Sequence, residues 1–154
     1  FNKLSDGFIM EGAPEIAPKA KQIRELWLQT YPDIARHIQE NYDYFANHTY
    51  RIVKTAQGRP MKANSPMEAL NFTVQGTGAE CTKLALLLLK NKGIMPVCTV
   101  HDSIALIASN ESEALEYKEA LKWAMDEAYV RIIQNCKANH LKISVEVNVG
   151  ESYS

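Results

Sequence analysis

The stretch Val97-Cys98-Thr99-Val100-His101-Asp102-Ser103-Ile104-Ala105-Leu106-Ile107-Ala108 constrains this chain most. Apolar, β-branched runs flank three polar residues, the pattern of two buried antiparallel strands joined by a tight turn. A buried hairpin holds its tip rigidly, so an ionisable Asp102 beside His101 is placed there as a metal or phosphate site requires. The same residues also suit an ordinary surface turn, because Asp and Ser are frequent turn formers.

Helices bracket that hairpin. Ser65-Pro66-Met67-Glu68 is a helix start, with Ser65 as N-cap, Pro66 at the first helical position and Glu68 completing a capping box. The helix should run toward Leu89 and stop at Gly93, with Lys90 and Lys92 near its negative end. Gly76 and Gly78 sit inside it, each costing about 1 kcal/mol relative to alanine, so a kink or a close approach by another backbone is expected. After the hairpin, Asn110 with Glu113 forms a second capping pattern, and Ala114, Tyr117, Leu121, Ala124, Met125, Ala128 and Ile132 share one helical face over about twenty residues. Ile143, Val145, Val147 and Val149 alternate with polar residues, as in a strand covered on one side. Two or three strands with two long helices behind them make an α+β layer.

Ahead of these elements, residues 1–17 contain Gly7, Gly12 and Pro14 and show no sustained period, the mark of a loop or partly ordered lead-in. From Pro18, the spacing of Ile23, Leu26, Trp27 and Thr30 gives a helix. Tyr31-Pro32-Asp33 breaks it before a second one, on which Ile34, Ile38, Tyr42 and Phe45 share a face. The aromatics are read as packing residues. Tyr50 to Lys54 has strand composition, Gln57-Gly58 is a turn signal, and Pro60 argues against a central strand afterwards. Arg51, Lys54, Arg59 and Lys62 could touch backbone phosphate or form a solvated basic face.

With 154 residues, 46% of them hydrophobic, the chain suits one domain with a core. Its 17 basic and 18 acidic residues leave a formal charge of −1, which excludes the global basic field of a small autonomous DNA binder. Any nucleic-acid contact must be local. Cys81, Cys98 and Cys136 have neither zinc-ligand nor paired spacing and are expected to be reduced, buried packing residues of a cytoplasmic protein. No apolar run approaches the roughly 18 residues of a membrane span. A start at Phe1 suggests a processed, trimmed or excised piece.

Asn71-Phe72-Thr73-Val74-Gln75-Gly76-Thr77-Gly78-Ala79-Glu80, then a leucine-rich helix, then Val100-His101-Asp102, then Val145-Glu146-Val147-Asn148-Val149-Gly150-Glu151, resembles the family A DNA polymerases, the bacterial polymerase I kind. That family carries an Asn-x-x-x-Gln-Gly-Thr-x-Ala-acid element, a helix, a hairpin with His-Asp at its tip, a long helix and a last Val-Glu-Val strand near a Gly-Glu. The resemblance implies a lead-in from the fingers at 1–17 and the C-terminal part of the polymerase palm at 18–154, of phage or plasmid type. The fold it implies is a partial palm, a small antiparallel sheet with the His-Asp hairpin packed on long helices.

The resemblance also implies roles. Asp102 is a ligand of a two-magnesium site whose second carboxylate lies outside this chain, consistent with the preference of magnesium for oxygen ligands. His101 lies against the primer terminus. Ser103 stands where the usual residue is Glu and can offer only a hydrogen bond. Asn71 and Gln75, one helical turn apart, match positions that reach the minor groove, whose acceptors occur on every base pair. Thr77 belongs to the same DNA-binding element, and Thr55 to Arg59 resembles a Thr-x-x-Gly-Arg turn, which assigns DNA contacts to Arg51, Lys54 and Arg59. Met67 replaces an arginine often found one turn before the Asn. The expected activity is DNA-directed DNA polymerase, a nucleotidyltransferase inactive alone. Its expected partners are primer–template DNA, dNTP and a complementary N-terminal polymerase fragment, with no membrane.

Other readings remain open. A non-catalytic DNA-binding or scaffolding remnant fits the missing aspartate and Ser103. His-Asp-Ser also occurs in single-subunit RNA polymerases of related palm. A small hydrolase using Gly76-Thr77-Gly78 and His101-Asp102-Ser103 lacks the P-loop spacing and a workable triad geometry.

Overall fold

The computed structural model describes residues 16–134, 136 and 143–151, and the chain divides between Thr49 and Tyr50 into two compact units. The first unit holds α1 (Ile16–Thr30) and α2 (Pro32–Asn47), joined at Tyr31 as the Tyr-Pro break requires. Residues 1–15 of the expected lead-in lie outside the described residues, and the 17/18 boundary falls within the first turn of α1. Trp27 and Tyr31 pack with ring centroids 5.4 Å apart, and Tyr44 stacks on His48 at 4.1 Å. The apolar faces read from the sequence are only partly covered, since Ile23, Leu26, Ile34 and Tyr42 are exposed.

The second unit runs β1 (Arg51–Lys54), β2 (Pro60–Ala63), α3 (Pro66–Asn91), β3 (Cys98–Val100), β4 (Ser103–Ala105) and α4 (Glu111–Ile133). Its sheets are two antiparallel hairpins, β1 with β2 and β3 with β4, so the fold is α+β. Pro60 begins β2, a position where its missing N–H costs no ladder bond. At the start of α3 the Ser65 hydroxyl accepts from Glu68 N at 3.2 Å, while Glu68 Oε2 accepts from Asn64 N, one residue before the N-cap. The end is a Schellman motif: Gly93, at φ 79°, donates to Lys90 O and Ile94 to Leu89 O. Ile94 and Leu89 are both buried and belong to the core.

That core lies between α3 and α4. Ala120, Ala124 and Ala128 recur every fourth residue and let α4 pack closely on Ala85, Leu88 and Leu89, while Cys81 meets Ile132 and Ile133. Cys81, upstream of Ala85 on α3, thus meets the end of α4, and the two helices run antiparallel. Among the described residues no helix is long and apolar enough to cross a membrane.

Three expectations are corrected. The 97–108 hairpin forms with a tight turn but is not buried: every residue of β3 is exposed, and only Ile104 and Leu106 reach the core. Cys98, in that strand, is therefore exposed rather than buried. Residues 143–148 keep an alternating burial, with Val149 exposed, but join no ladder among the described residues, and a strand needs a partner edge for its N–H and C=O groups. The two glycines do not interrupt α3, which continues through both.

Candidate nucleic-acid interface

The His-Asp tip follows from strand register. Cys98 pairs with Ala105, Thr99 with Ile104 and Val100 with Ser103, which leaves His101 and Asp102 as a two-residue loop. His101 has φ 55° and is the one non-glycine residue with positive φ among the described residues. Positive φ at the first loop position alone is the sign pattern of a type II′ turn, where glycine is usual. His is among the residues that tolerate it best, and a backbone held there points to a constrained tip. His101, Asp102 and Ser103 are all exposed. Ser103 belongs to the strand rather than the turn. Ile104 and Leu106 tether the tip to the core from the β4 side.

Magnesium demands near-octahedral oxygen coordination from several donors. Among the described residues no cluster of three or more His, Cys, Asp or Glu could hold a metal ion, so the described residues around Asp102 do not by themselves fit a metal site.

Asn71 and Gln75 lie one turn apart on α3 and are both exposed. Met67 and Val74 beside them are 52% and 74% exposed, and a Cβ on Gly78 would meet nothing within 4 Å. This face of the helix is open and carries two amide groups that can donate or accept. Thr77 turns away from it. Its hydroxyl donates to Thr73 O at 2.6 Å and accepts from Ala56 N at 3.1 Å, so its polar capacity serves the fold.

Lys54 and Arg59 are exposed at the end of the β1–β2 hairpin, Arg51 is half-buried, and the Lys62 ammonium lies 4.7 Å above the Tyr50 ring. The turn between the strands is held from several sides. Thr55 Oγ1 donates to Glu80 Oε1 at 2.7 Å and accepts from Arg59 N at 3.1 Å, and Gln57 Nε2 donates to Ile132 O at 2.8 Å. Gly76 permits the contact, because a Cβ there would come within 2.8 Å of Thr55 Cγ2. Neither Glu80 nor Gln57 was given a role at the site by sequence reasoning, which read Gln57 only as part of a turn. Glu80 could have been, since it is the acid that ends the Gln-Gly-Thr-x-Ala-acid element. Glu80 Oε2 is buried without a hydrogen-bond partner among the described residues. Burial first, and then the Glu80 charge, raise the pKa of the adjacent Cys81 thiol.

The basic turn and the amide face thus share one stretch of α3. The His-Asp hairpin packs on the same helix near Ala85 to Leu89, about 15–21 Å farther along its axis from Gln75 at 1.5 Å per residue. Among the described residues no hydrogen bond or ion pair links His101, Asp102 or Ser103 to Asn71 or Gln75.

The chain is 42% identical over 80 residues to DNA polymerase I of Aquifex aeolicus (strain VF5), a match covering 48% of this chain and 14% of that protein. The chain therefore spans only a small part of that relative's length. No solved structure matches it. The model of DNA polymerase family A matches residues 16–154, nearly the whole length, and the chain belongs to that family.

Proposed function

We propose that this chain is the C-terminal palm portion of a DNA-directed DNA polymerase, residues 18–154, with 1–17 leading in from the fingers. It acts in template-directed nucleotidyl transfer from dNTP. The observation that carries the reading is the exposed Asn71–Gln75 face on the helix to which the basic Thr55–Arg59 turn is hydrogen-bonded. Amide donors reach minor-groove acceptors present on every base pair, and Lys54 and Arg59, with Arg51, meet backbone phosphate, so duplex is held without reading its sequence. His101 serves the primer terminus from the hairpin tip. Asp102 contributes one carboxylate toward magnesium, and a complementary N-terminal polymerase fragment supplies the rest of the site. On this reading the protein acts in replication or repair in the cytoplasm, as a polymerase of phage or plasmid type.

The test is reconstitution with a fragment bearing the fingers and the first palm strand, followed by primer extension. The chain alone should extend no primer, and the pair should. Asp102→Ala should abolish synthesis, whereas Ser103→Ala, which removes at most a hydrogen bond of about 0.5–1.5 kcal/mol, should cost no more than roughly tenfold. Magnesium-dependent synthesis by the chain alone, or equal losses from the two substitutions, would overturn these roles. A second reading, a DNA-binding remnant without chemistry, is favoured by Ser103. It predicts primer–template binding but no synthesis in the reconstituted pair.

A further inference from the structure

We infer that Thr55 and Glu80, with Thr77 and Gln57, are positioning residues that lock the basic turn to the amide-bearing helix, so that phosphate and minor-groove contacts fall in fixed register. The inference rests on the reading of this surface as a duplex-binding face. Lys54 and Arg59 stand on a two-stranded hairpin, an element of marginal stability by itself. Long cations on a mobile hairpin bind phosphate weakly, because ordering them on contact costs entropy. The turn between them, however, is joined at separate points to two helices. Thr55 reaches Glu80 and Ala56 N reaches Thr77, both on α3, while Gln57 reaches the end of α4 at Ile132 O.

Thr55 is the centre of this lock. It is buried, its hydroxyl both donates to Glu80 and accepts from the Arg59 backbone, and its methyl fills the space left by the missing side chain of Gly76. Arg59 N bonds Thr55 Oγ1, and Arg59 O accepts from Thr55 N. The cation is therefore tied through its own backbone to the residue that grips α3. A carboxylate beside a DNA-binding face is unfavourable as a contact to phosphate. Glu80 is instead turned inward, with one oxygen on Thr55 and the other buried without a partner among the described residues. A surface anchor would leave that second oxygen in water.

The experiment measures primer–template affinity across a salt series, with thermal unfolding in parallel, in the protein carrying this chain. Arg59→Ala should lower the salt slope by about one, the signature of a lost phosphate contact. Thr55→Val keeps the shape and the methyl but removes the hydroxyl, and should reproduce that slope loss. Thr55→Ser should restore wild-type binding, and Thr55→Val combined with Arg59→Ala should lose no more slope than Arg59→Ala alone. A purely structural Thr55 would lower the melting temperature and leave the slope of the folded protein intact, which overturns the inference while the duplex-binding reading stands. An unchanged slope in Arg59→Ala removes the basic turn from the interface and overturns both. Should Thr55→Val not fold, Gln57→Ala at an exposed position carries the same comparison, with reduced slope supporting the lock and wild-type slope refuting it.

Discussion

Two glycines in α3 have opposite surroundings, and substitution should separate them. Alanine at Gly76 would drive its Cβ to 2.8 Å from Thr55 Cγ2, an overpacking expected to cost about 1–3 kcal/mol. Alanine at Gly78 meets open space within a helix and should stabilise the fold by about 0.5–1 kcal/mol. Thermal unfolding of both variants checks the signs, and a loss at Gly78 would mean that its surroundings are misread. The glycine pair was legible in the sequence as a kink or a close backbone approach, and what approaches is the Thr55 methyl at one of the two. Which glycine it approaches was not legible, because that depends on a hairpin seated some twenty residues away in sequence. His101 was legible as a turn residue, but its positive φ was not, since a glycine at the first loop position signals such a turn and none is present. Thr77 serves the fold through its hydroxyl, which donates to Thr73 O and accepts from Ala56 N.

Among the elements, the helix starts were the most legible because capping is local. Asn110 Oδ1 accepts from Glu113 N at 2.9 Å, and the Glu113 carboxylate accepts from Ser109 N and from the Tyr117 hydroxyl. The Ser109 backbone bond first, then Tyr117, lower the pKa of Glu113. A folded-state value below the unfolded one means that the carboxylate's contribution is complete above the ordinary glutamate range and fades as pH falls through the lowered value. The first turn of α4 should thus fray in acid, below about pH 4.3. Carboxylate chemical shifts followed against pH should show Glu113 titrating below ordinary glutamates, with Ser109 amide exchange quickening in step. An ordinary titration would refute the cap. Strand pairing was less legible. The alternation at 143–149 identifies a segment with two unlike faces, but a ladder also needs an edge beside it, which periodicity does not supply. The hairpin at 97–108 was found for the right residues and buried wrongly, because an apolar run reports what a surface prefers and not what covers it.

At the scale of the whole molecule, apolar side chains remain in water around the His-Asp hairpin: Met95 is 67% exposed, Val97 58%, Val100 45% and Ile107 72%. A shallow groove of about 330 Å³ lies beside them, lined by Leu86, Lys90 and residues 95–99. Exposed apolar side chains next to a short two-stranded edge favour association, so the chain should self-associate with rising concentration in sedimentation experiments. Val100→Lys should suppress it, and a monomer at every concentration would refute the expectation. The family was legible across nearly the whole length because its signature is a sequence of short motifs in order. The division at Thr49 was not, since no glycine- or proline-rich linker marks it. One feature of α3 reaches further than its own stability. The helix carries the clamped basic turn, the amide face and the seat of the His-Asp hairpin on a single unbroken rod, so residue number serves as both length and phase. One residue inserted between Gln75 and Ala85 would move the two stations apart by about 1.5 Å and swing them about 100° out of alignment. Seven would nearly restore the angle while adding about 10.5 Å. Neither could satisfy angle and distance together, so this segment can vary in side chain far more freely than in count.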